Sequence, residues 1–542
     1  MRSSVFRFYS FLILCVTALN VTAFDPSATI EVPMRDGCKL STDIYLPSDG
    51  GKNVPLLLVR SPAGRTGPHL EALVPMAQWG YVVAIQDTRS AMDPEGKTMP
   101  YIHDAWGEHQ DGFDSVEWLS KSEWCDGKVG TVGTSALGIT QLLMAPSAPP
   151  ALKAQYVRLA APCLYNHAIY SGGRLSKERV EGWLSYYAGH PSVLEFVKGQ
   201  SEYNDFWAQF NAMEAAHRIT APAVHLGGWY DIFLQGTIDA FISRQENGGS
   251  GARESQKLVI GPWTHFWPME QRFGDFMVPE VAMQLPDHLT EKAWFDHHLK
   301  GIDTGVMERS TVAYYVMGAL DNTSASGNEW RYADQWPIPS TNTPFYLMPN
   351  GALVGTNEDA SATLSFTHDP ENPVPTVGGR NLFMESGPKD QTVLEQRDDV
   401  LVFTSAVLDQ DLEVTGRLSA TLYLDTDVDD TDVAVRLCDV YPDGRSILVA
   451  DGLQKVQIKQ NALANGSTAV NVDLASTSQV FAKGHRIRVS VAGSNYPCFE
   501  KSDNGGKMDS NGKSAIAHSM LRFSKEYPSQ ILLPIPSAKQ GV

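Results

Sequence analysis

Residues 128–144 have the sequence Lys128-Val-Gly-Thr-Val-Gly-Thr-Ser-Ala-Leu-Gly-Ile-Thr-Gln-Leu-Leu-Met144. This pattern predicts a short strand, a sharp turn and a helix, with Ser135 at the turn. Gly133 and Gly138 lack the Cβ atoms that would clash where a chain reverses so tightly. The N–H of Ala136, the first helical residue, points into the same space as the serine. A strand-to-helix turn of this kind holds a serine hydroxyl exposed, so Ser135 is a candidate nucleophile.

The turn departs from the common strand-to-helix elbow at one position. In the common elbow the second glycine comes two residues after the serine, where Leu137 stands in this chain, and Gly138 follows one residue later. Glycines on either side of a serine also occur by chance. The assignment of Ser135 therefore depends on the rest of the sequence.

Apolar strands alternate with helical segments on both sides of this turn. Continuous apolar runs are typical of strands that are buried on both faces of a parallel sheet. Four runs predict such strands: Val54–Arg60, Tyr81–Asp87, Ala221–Asp231 and Lys257–His265. The alternation predicts an α/β fold with a doubly wound sheet.

Three polar residues follow predicted strands at their carboxyl ends: Ser135, Asp231 and His265. Ligand chemistry in open α/β sheets collects at that edge. The chain order Ser, Asp, His is the order of the α/β-hydrolase triad. Taken singly, Asp231 has the alternative of a turn residue and His265 that of a core histidine. Together the three predict a nucleophile, a carboxylate that orients the imidazole, and a general base.

The remaining sequence predicts two further units. Residues 148–217 carry many aromatic residues in helix-like settings and predict a helical cap. The cap would interrupt an α/β catalytic domain formed by residues 24–147 and 218–349. Residues 350–542 are strand-like throughout, with turns between the strands, and predict a β-sandwich of the jelly-roll type.

The N-terminus has the features of an export signal. Arg2 and Arg7 precede an apolar run, and small or β-branched residues follow up to Ala23. Residues 1–23 are therefore predicted to be a cleaved signal peptide, which implies a secreted or periplasmic protein. The apolar run is too short for a membrane span, so no membrane association is expected after cleavage.

Net charge and cysteine spacing bear on the partners and cofactors of the protein. The 542-residue chain has a formal net charge of −19, which makes nucleic acid an improbable partner. Five cysteines remain after the leader, at spacings that suggest no zinc site. One disulfide is an open alternative, and its pairing cannot be read from the sequence. We expect no metal or other cofactor.

With these residues assembled, the chain resembles the cocaine-esterase family of α/β-hydrolases. Its relatives are glutaryl acylases, α-amino-acid ester hydrolases and X-prolyl dipeptidyl-peptidases. The resemblance rests on motifs along nearly the whole chain: Val32–Gly37, Gln86–Arg89, Trp124–Gly130, Gly133–Gly138, Gly228–Asp231, Gly261–His265 and Gly484–Arg488. It implies an α/β-hydrolase domain, a helical cap inserted after the nucleophile helix, and a jelly roll that packs against the active site.

The resemblance also implies roles for residues around the triad. The Ala136 N–H corresponds to one donor of the oxyanion hole, and alanine there, where the family usually has tyrosine, opens space. Phe233, Leu382 and Phe383 match apolar residues that line the acyl pocket in cocaine esterase. Interdomain packing alone is the alternative role for these three.

One departure from the family concerns the second oxyanion donor. The family places a tyrosine hydroxyl after an Arg-x-Pro motif, whereas this chain has Ala63 at that position. We expect a replacement, because loss of one such donor costs roughly 10²–10³ in rate. The candidates are the Gly64 N–H, the Arg65 side chain, and the hydroxyl of Tyr165 or Tyr170.

The resemblance implies an exported serine hydrolase that cleaves carboxylic esters, with amides left open, through an acyl-enzyme. The apolar residues Ile232, Phe233 and Leu234 argue against an α-amino acyl group. The partner would be a small-molecule ester or amide, and the sequence does not reveal the oligomeric state. Two alternatives remain: an amide acylase or X-prolyl dipeptidyl-peptidase, and a non-catalytic relic that binds a ligand.

Overall fold

The structure is a computed structural model that describes residues 24–269, 271–319, 325–357, 361–457, 467–508 and 512–537. The expected signal peptide, residues 1–23, lies outside the described residues. Within the described part of the chain, no helix has both the length and the apolar character needed to cross a membrane.

A ten-stranded sheet forms the centre of the molecule. Its strands in chain order are β1 (Ala28–Pro33), β2 (Lys39–Tyr45), β3 (Val54–Ser61), β4 (Val82–Asp87), β5 (Cys125–Thr134), β6 (Leu152–Arg158), β7 (Ala223–Tyr230), β8 (Lys257–Thr264), β9 (Val312–Val316) and β10 (Glu329–Ala333). Their spatial order is β1-β2-β4-β3-β5-β6-β7-β8-β9-β10. The pairs from β4 to β9 are parallel, and β1, β2 and β10 add antiparallel edges.

Parallel strands buried on both faces explain the apolar runs in the sequence. Every residue of β4, β7 and β8 is buried. Alternate side chains of β3 enter different cores: Leu57 and Val59 pack on one face of the sheet, and Leu56 and Leu58 on the other. The predicted α/β doubly wound sheet is confirmed.

Nine α-helical segments lie in the described chain. They are α1 (Pro68–Glu71), α2 (Asp111–Leu119), α3 (Ala136–Met144), α4 (Lys177–Tyr187), α5 (Pro191–Gly199), α6 (Asp205–Ala208), α7 (Leu234–Asn247), α8 (Glu291–Lys300) and α9 (Thr392–Glu395). A π-helical turn, Leu164–Ile169, precedes α4, and 3₁₀ turns cover Val74–Trp79, Ala145–Ser147, Ala216–Arg218, Glu280–Met283 and Asp287–Leu289. Two short hairpins are each formed by a pair of two-residue antiparallel strands. One pairs Tyr170–Ser171 with Arg174–Leu175, and the other pairs Arg272–Phe273 with Phe276–Met277.

The expected N-terminal boundary of the cap is wrong. Strand β6 lies inside residues 148–217 but pairs with β5 and β7 in the central sheet. The sequence gives a weak strand pattern here because Gln155 is polar although it is completely buried. Its amide donates to Thr131 Oγ1 (3.2 Å) and to the Gln141 carbonyl (3.1 Å). The helical cap therefore begins after Arg158.

The C-terminal part is a sandwich of two antiparallel sheets, as the sequence predicts. Its strands are β11 (Ser340–Leu347), β12 (Leu353–Val354), β13 (Ala362–His368), β14 (Val400–Thr404), β15 (Leu412–Thr426), β16 (Asp430–Val440), β17 (Ser446–Gln457), β18 (Thr468–Phe481), β19 (Arg486–Ala492), β20 (Ala517–Phe523) and β21 (Gln530–Pro536). One sheet has the order β12-β11-β21-β15-β20-β13, with β18 also paired to β15, and the other has the order β14-β19-β16-β17.

The expected boundary between residues 349 and 350 is also wrong. Strand β11 precedes it but belongs to the sandwich, where it pairs along its whole length with β21. Half of β11 is polar and it contains Pro344, so its sequence gives only a weak strand pattern. The sandwich therefore begins at Ser340.

The sandwich is joined to the central sheet through the main chain. The Met317 N–H, just after β9, donates to the Ser478 carbonyl (2.9 Å), and the Val480 N–H donates to the Met317 carbonyl (2.8 Å). The Tyr230 hydroxyl at the end of β7 donates to the Leu448 carbonyl (3.0 Å). These bonds fix the sandwich beside the edge where the candidate catalytic residues lie.

The five cysteines of the described chain are free thiols: Cys38, Cys125, Cys163, Cys438 and Cys498. The disulfide that the sequence left open is therefore not formed among these residues. Burial raises the pKa of Cys163 to about 11, so this thiol stays protonated at neutral pH.

The chain reverses direction between β5 and α3 at Ser135. Its backbone has φ 59° and ψ −121°, a strained conformation for a residue with a side chain. A Cβ on Gly133 would lie 2.4 Å from Leu137 Cβ, and a Cβ on Gly138 would lie 2.6 Å from Ala160 Cβ. Each glycine thus makes room for a different neighbour, which explains why the second glycine is displaced by one residue.

We predict that Gly138→Ala lowers the free energy of unfolding by about 1–3 kcal/mol. The new methyl would also meet the Arg158 carbonyl at 3.2 Å, so the strand cannot yield easily. Urea unfolding followed by circular dichroism measures the change. Gly199→Ala is the matched control, because its Cβ would meet open space; equal stabilities of the two variants would contradict the packing explanation.

Candidate active site

The structure brings Ser135, Asp231 and His265 together at the carboxyl edge of the central sheet. Ser135 Oγ lies 2.8 Å from His265 Nε2, and His265 Nδ1 lies 2.5 Å from Asp231 Oδ1. Ser135 is half-buried and Asp231 is fully buried. This geometry can transfer the hydroxyl proton to the imidazole and stabilise the resulting imidazolium beside the carboxylate.

Both oxygens of Asp231 are engaged. Oδ1 faces the imidazole, and Oδ2 accepts the Phe233 N–H at 2.9 Å. The Asp231 N–H in turn donates to the Gly228 carbonyl at 3.0 Å, and this main-chain bond stabilises the turn after β7. A carboxylate held in this way keeps the proton on His265 Nδ1 and leaves Nε2 to face Ser135.

Phe233 lies against the candidate base. Its ring is almost perpendicular to the His265 imidazole, with 5.6 Å between the ring centroids, and the side chain is buried. This packing restricts rotation of the imidazole and keeps water from one of its sides. Phe233 therefore contacts the candidate base as well as the turn that carries Asp231.

Ala136 begins helix α3 directly after Ser135. The first amide of a helix has no acceptor within that helix, so its N–H is free to bind an oxyanion. Across the sheet edge, the loop after β3 contains Gly64 with φ +99°, a conformation that favours glycine. The Arg65 guanidinium anchors this loop by pairing with Asp43 (3.1 Å) and Asp87 (2.6 Å).

Most of the expected replacement donors are engaged elsewhere. The Tyr165 hydroxyl donates to the Ser201 carbonyl at 2.6 Å, and the Tyr170 hydroxyl donates to the Val197 carbonyl at 2.9 Å. The Arg65 guanidinium is paired with the carboxylates of Asp43 and Asp87. Among the groups considered from the sequence, these contacts favour the main-chain N–H of Gly64.

Sequence reasoning missed Glu178, in the first turn of cap helix α4. Its Oε1 accepts the Leu382 N–H at 2.7 Å, and its Oε2 accepts the Phe383 N–H at 2.9 Å. Burial raises the pKa of Glu178 above its usual value, while these two N–H groups, Arg179 and His265 oppose the rise. An acidic residue in a first helical turn is ordinary, so its sequence gave no signal of this role.

Arg179, the next residue, was also missed. One guanidinium N–H donates to the Ile232 carbonyl at 2.9 Å, directly beside Asp231. The guanidinium carbon lies 5.8 Å from the centre of the Phe233 ring. The first turn of α4 therefore contacts both the turn after β7 and the Leu382–Phe383 segment.

The Leu382–Phe383 segment meets the cap. Leu382 packs against the apolar cluster formed by the cap and helix α3. The Phe383 ring lies over Gly182 of α4, where a Cβ would come within 2.4 Å of its atoms, and the side chain is 40% exposed. Both residues thus lie at the junction of the cap and the sandwich.

A polar cavity of about 470 Å³ lies between the cap, the α/β part and the sandwich. Its lining includes Arg179, Ile232, Arg380 and Asp451, but neither Ser135 nor His265. The cavity therefore does not include the candidate nucleophile or base, and it adjoins the candidate site at the turn after Asp231 and at Glu178. Within the described residues, no group of three or more His, Cys, Asp or Glu side chains is placed to hold a metal ion.

Comparisons with known proteins agree with this architecture. Residues 36–195 and 181–267 match the model of the X-Pro dipeptidyl-peptidase (S15) family. Residues 304–532 match the model of the X-Pro dipeptidyl-peptidase C-terminal non-catalytic domain.

Individual relatives extend over almost the whole chain. The cocaine esterase of Rhodococcus sp. (strain MB1 Bresler) is 31% identical, and the match covers 94% of this chain and 99% of that protein. An α-amino acid ester hydrolase structure has a TM-score of 0.76 at 23% identity, covering 96% and 99% of the two chains. An aminopeptidase from a marine sediment Thaumarchaeota archaeon has a TM-score of 0.78 at 21% identity, covering 95% and 97%.

The two solved structures share the fold, and the esterase shares enough sequence over its full length to show the family. The chain is thus a serine hydrolase that belongs to the cocaine-esterase family of α/β-hydrolases.

Proposed function

We propose that this protein is a serine esterase in which Ser135, His265 and Asp231 form the catalytic triad. The observation that supports it is the continuous chain of hydrogen bonds from Ser135 Oγ through the imidazole to buried Asp231. The strained backbone at Ser135 adds support, because such strain concentrates at functional sites.

The reaction would proceed in two steps through an acyl-enzyme. Ser135 Oγ attacks the ester carbonyl while His265 takes its proton, and the N–H groups of Ala136 and Gly64 stabilise the oxyanion. His265 then gives the proton to the departing alkoxide, and the alcohol leaves. Water then attacks the acyl-enzyme while His265 takes one of its protons, and the imidazolium returns that proton to Ser135 Oγ as the acid leaves.

The surroundings of the triad favour an uncharged acyl group. Ile232, Phe233 and Leu234 follow Asp231 and are buried. Because all three are apolar, they offer no carboxylate to a substrate ammonium. Glu178 approaches this region, but main-chain N–H groups occupy both of its oxygens. These contacts favour an apolar acyl ester over a substrate with a free amino group, such as that of a dipeptidyl-peptidase. We assign Phe233, Leu382 and Phe383 to the walls of the acyl pocket.

We also propose that residues 1–23 direct export of the protein and are then removed. The basic and apolar pattern of this segment supports the proposal. We predict that expression in a bacterial host with its own leader yields a processed protein outside the cytoplasm. Intact-mass measurement of the periplasmic or secreted fraction tests this; a full-length chain confined to the cytoplasm would refute export.

We predict that Ser135→Ala lowers kcat for p-nitrophenyl acetate by about 10⁴-fold or more, because the nucleophile is removed. The variant should also lose covalent labelling by a fluorophosphonate probe, with an unchanged circular dichroism spectrum. Ser147→Ala is the control, since its hydroxyl only donates to the Met144 carbonyl. Full activity of Ser135→Ala would remove this serine from the mechanism.

We predict that Ala63→Tyr is neutral or lowers turnover of activated esters. If the Gly64 N–H already serves the oxyanion, a phenol beside it crowds the site. A truly vacant donor position would instead make the variant faster, by up to roughly 3–4 kcal/mol in the barrier. Steady-state kinetics of the variant and the unmodified protein distinguish the two cases. A gain in kcat of about tenfold or more would contradict the assignment of the Gly64 N–H as the donor.

A further inference from the structure

We infer that Glu178 is a positioning residue that sets the acyl selectivity of the enzyme by fixing the Leu382–Phe383 segment over the cap. The inference rests on the proposed esterase function. It adds a residue that never touches the reacting atoms but determines where the apolar wall of the pocket stands.

Both carboxylate oxygens of Glu178 bind the main chain of the Leu382–Phe383 segment. One carboxylate binds two successive main-chain N–H groups, of Leu382 at 2.7 Å and Phe383 at 2.9 Å. Hydrogen bonds to an ionised acceptor are stronger than neutral ones, and two parallel bonds also define an orientation. Glu178 therefore holds the backbone of the segment directly.

Gly182 provides the second point of contact. It lies one helical turn after Glu178 on α4, so both face the same side of the helix. The Phe383 ring occupies the space that a side chain at Gly182 would take, with a Cβ only 2.4 Å from ring carbons Cδ2 and Cε2. The helix thus binds the backbone of the segment with Glu178 and its aromatic ring with Gly182.

Arg179 connects the same helical turn to the triad. It donates to the Ile232 carbonyl at 2.9 Å, and its guanidinium lies over Phe233, whose ring packs against His265. One turn of α4 therefore fixes the distance between the pocket segment and the candidate base. A change at Glu178 should release the segment while Arg179 still holds the triad side.

This arrangement predicts an effect that depends on acyl size. An acetyl group on Ser135 needs little space beyond the serine, whereas a hexanoyl group would extend to the apolar wall to which we assign Phe233, Leu382 and Phe383. If Glu178 holds that wall, its loss should weaken binding of long acyl groups and leave acetyl esters almost unaffected. A residue that only stabilises the fold would lower activity on both esters alike.

The test compares p-nitrophenyl acetate and p-nitrophenyl hexanoate with Glu178→Gln, which keeps the shape but removes the charge and one acceptor. We expect KM for the hexanoate to rise by roughly tenfold, with kcat and KM for the acetate changed less than about twofold. Glu181→Gln is the matched control on the same helix, because Glu181 pairs only with Lys177 (2.6 Å) and Lys198 (3.2 Å). It should leave both esters unchanged.

Gly182→Ala supplies an independent variant in case Glu178→Gln does not fold. It displaces the Phe383 ring without altering charge, and we expect the same selective rise in KM for the hexanoate. Equal effects on both esters, or no effect on either, in the folded variants would overturn the inference. Failure of the proposed function is distinguishable, because fluorophosphonate would then fail to label the unmodified protein.

Discussion

The turn at Ser135 is the constraint on which the arrangement of the site depends. A residue with a side chain is held at φ 59° because residues 129–133 of the strand before it and the whole helix after it are buried. Parallel pairing in the order β5-β6-β7-β8 then brings the carboxyl ends of β7 and β8 to the same edge of the sheet as that of β5, so that a carboxylate and an imidazole reach the same hydroxyl. The geometry of the three side chains is thus a property of the sheet and requires no loop of its own.

Helix α4 has a comparable role for the parts that surround the sheet. Its first turn carries a carboxylate that binds the sandwich and a guanidinium that binds the turn after β7. The cap, the α/β part and the sandwich therefore meet at two adjacent residues, Glu178 and Arg179. The junction of the cap with the site is thus made of charged hydrogen bonds that depend on direction.

Much of the fold was predictable from the sequence, since buried parallel strands leave continuous apolar runs and the order of Ser135, Asp231 and His265 follows the strands. Strand β6 was missed because a buried glutamine interrupts its pattern, and β11 because half of it is polar. Glu178 was beyond sequence reasoning for a different reason. Its partner N–H groups lie 204 and 205 residues away and belong to the backbone, which carries no residue-specific signal.

The main-chain bonds between Met317 and residues 478–480 have a consequence for biosynthesis. The Met317 N–H and carbonyl, just after β9, find their partners in β18, more than a hundred residues further along the chain. On the ribosome, these two main-chain groups therefore lack their protein partners until β18 has emerged. Docking of the sandwich on β9 therefore completes only after β18 has been synthesised, which ties this junction at the catalytic edge to the C-terminal part of the chain.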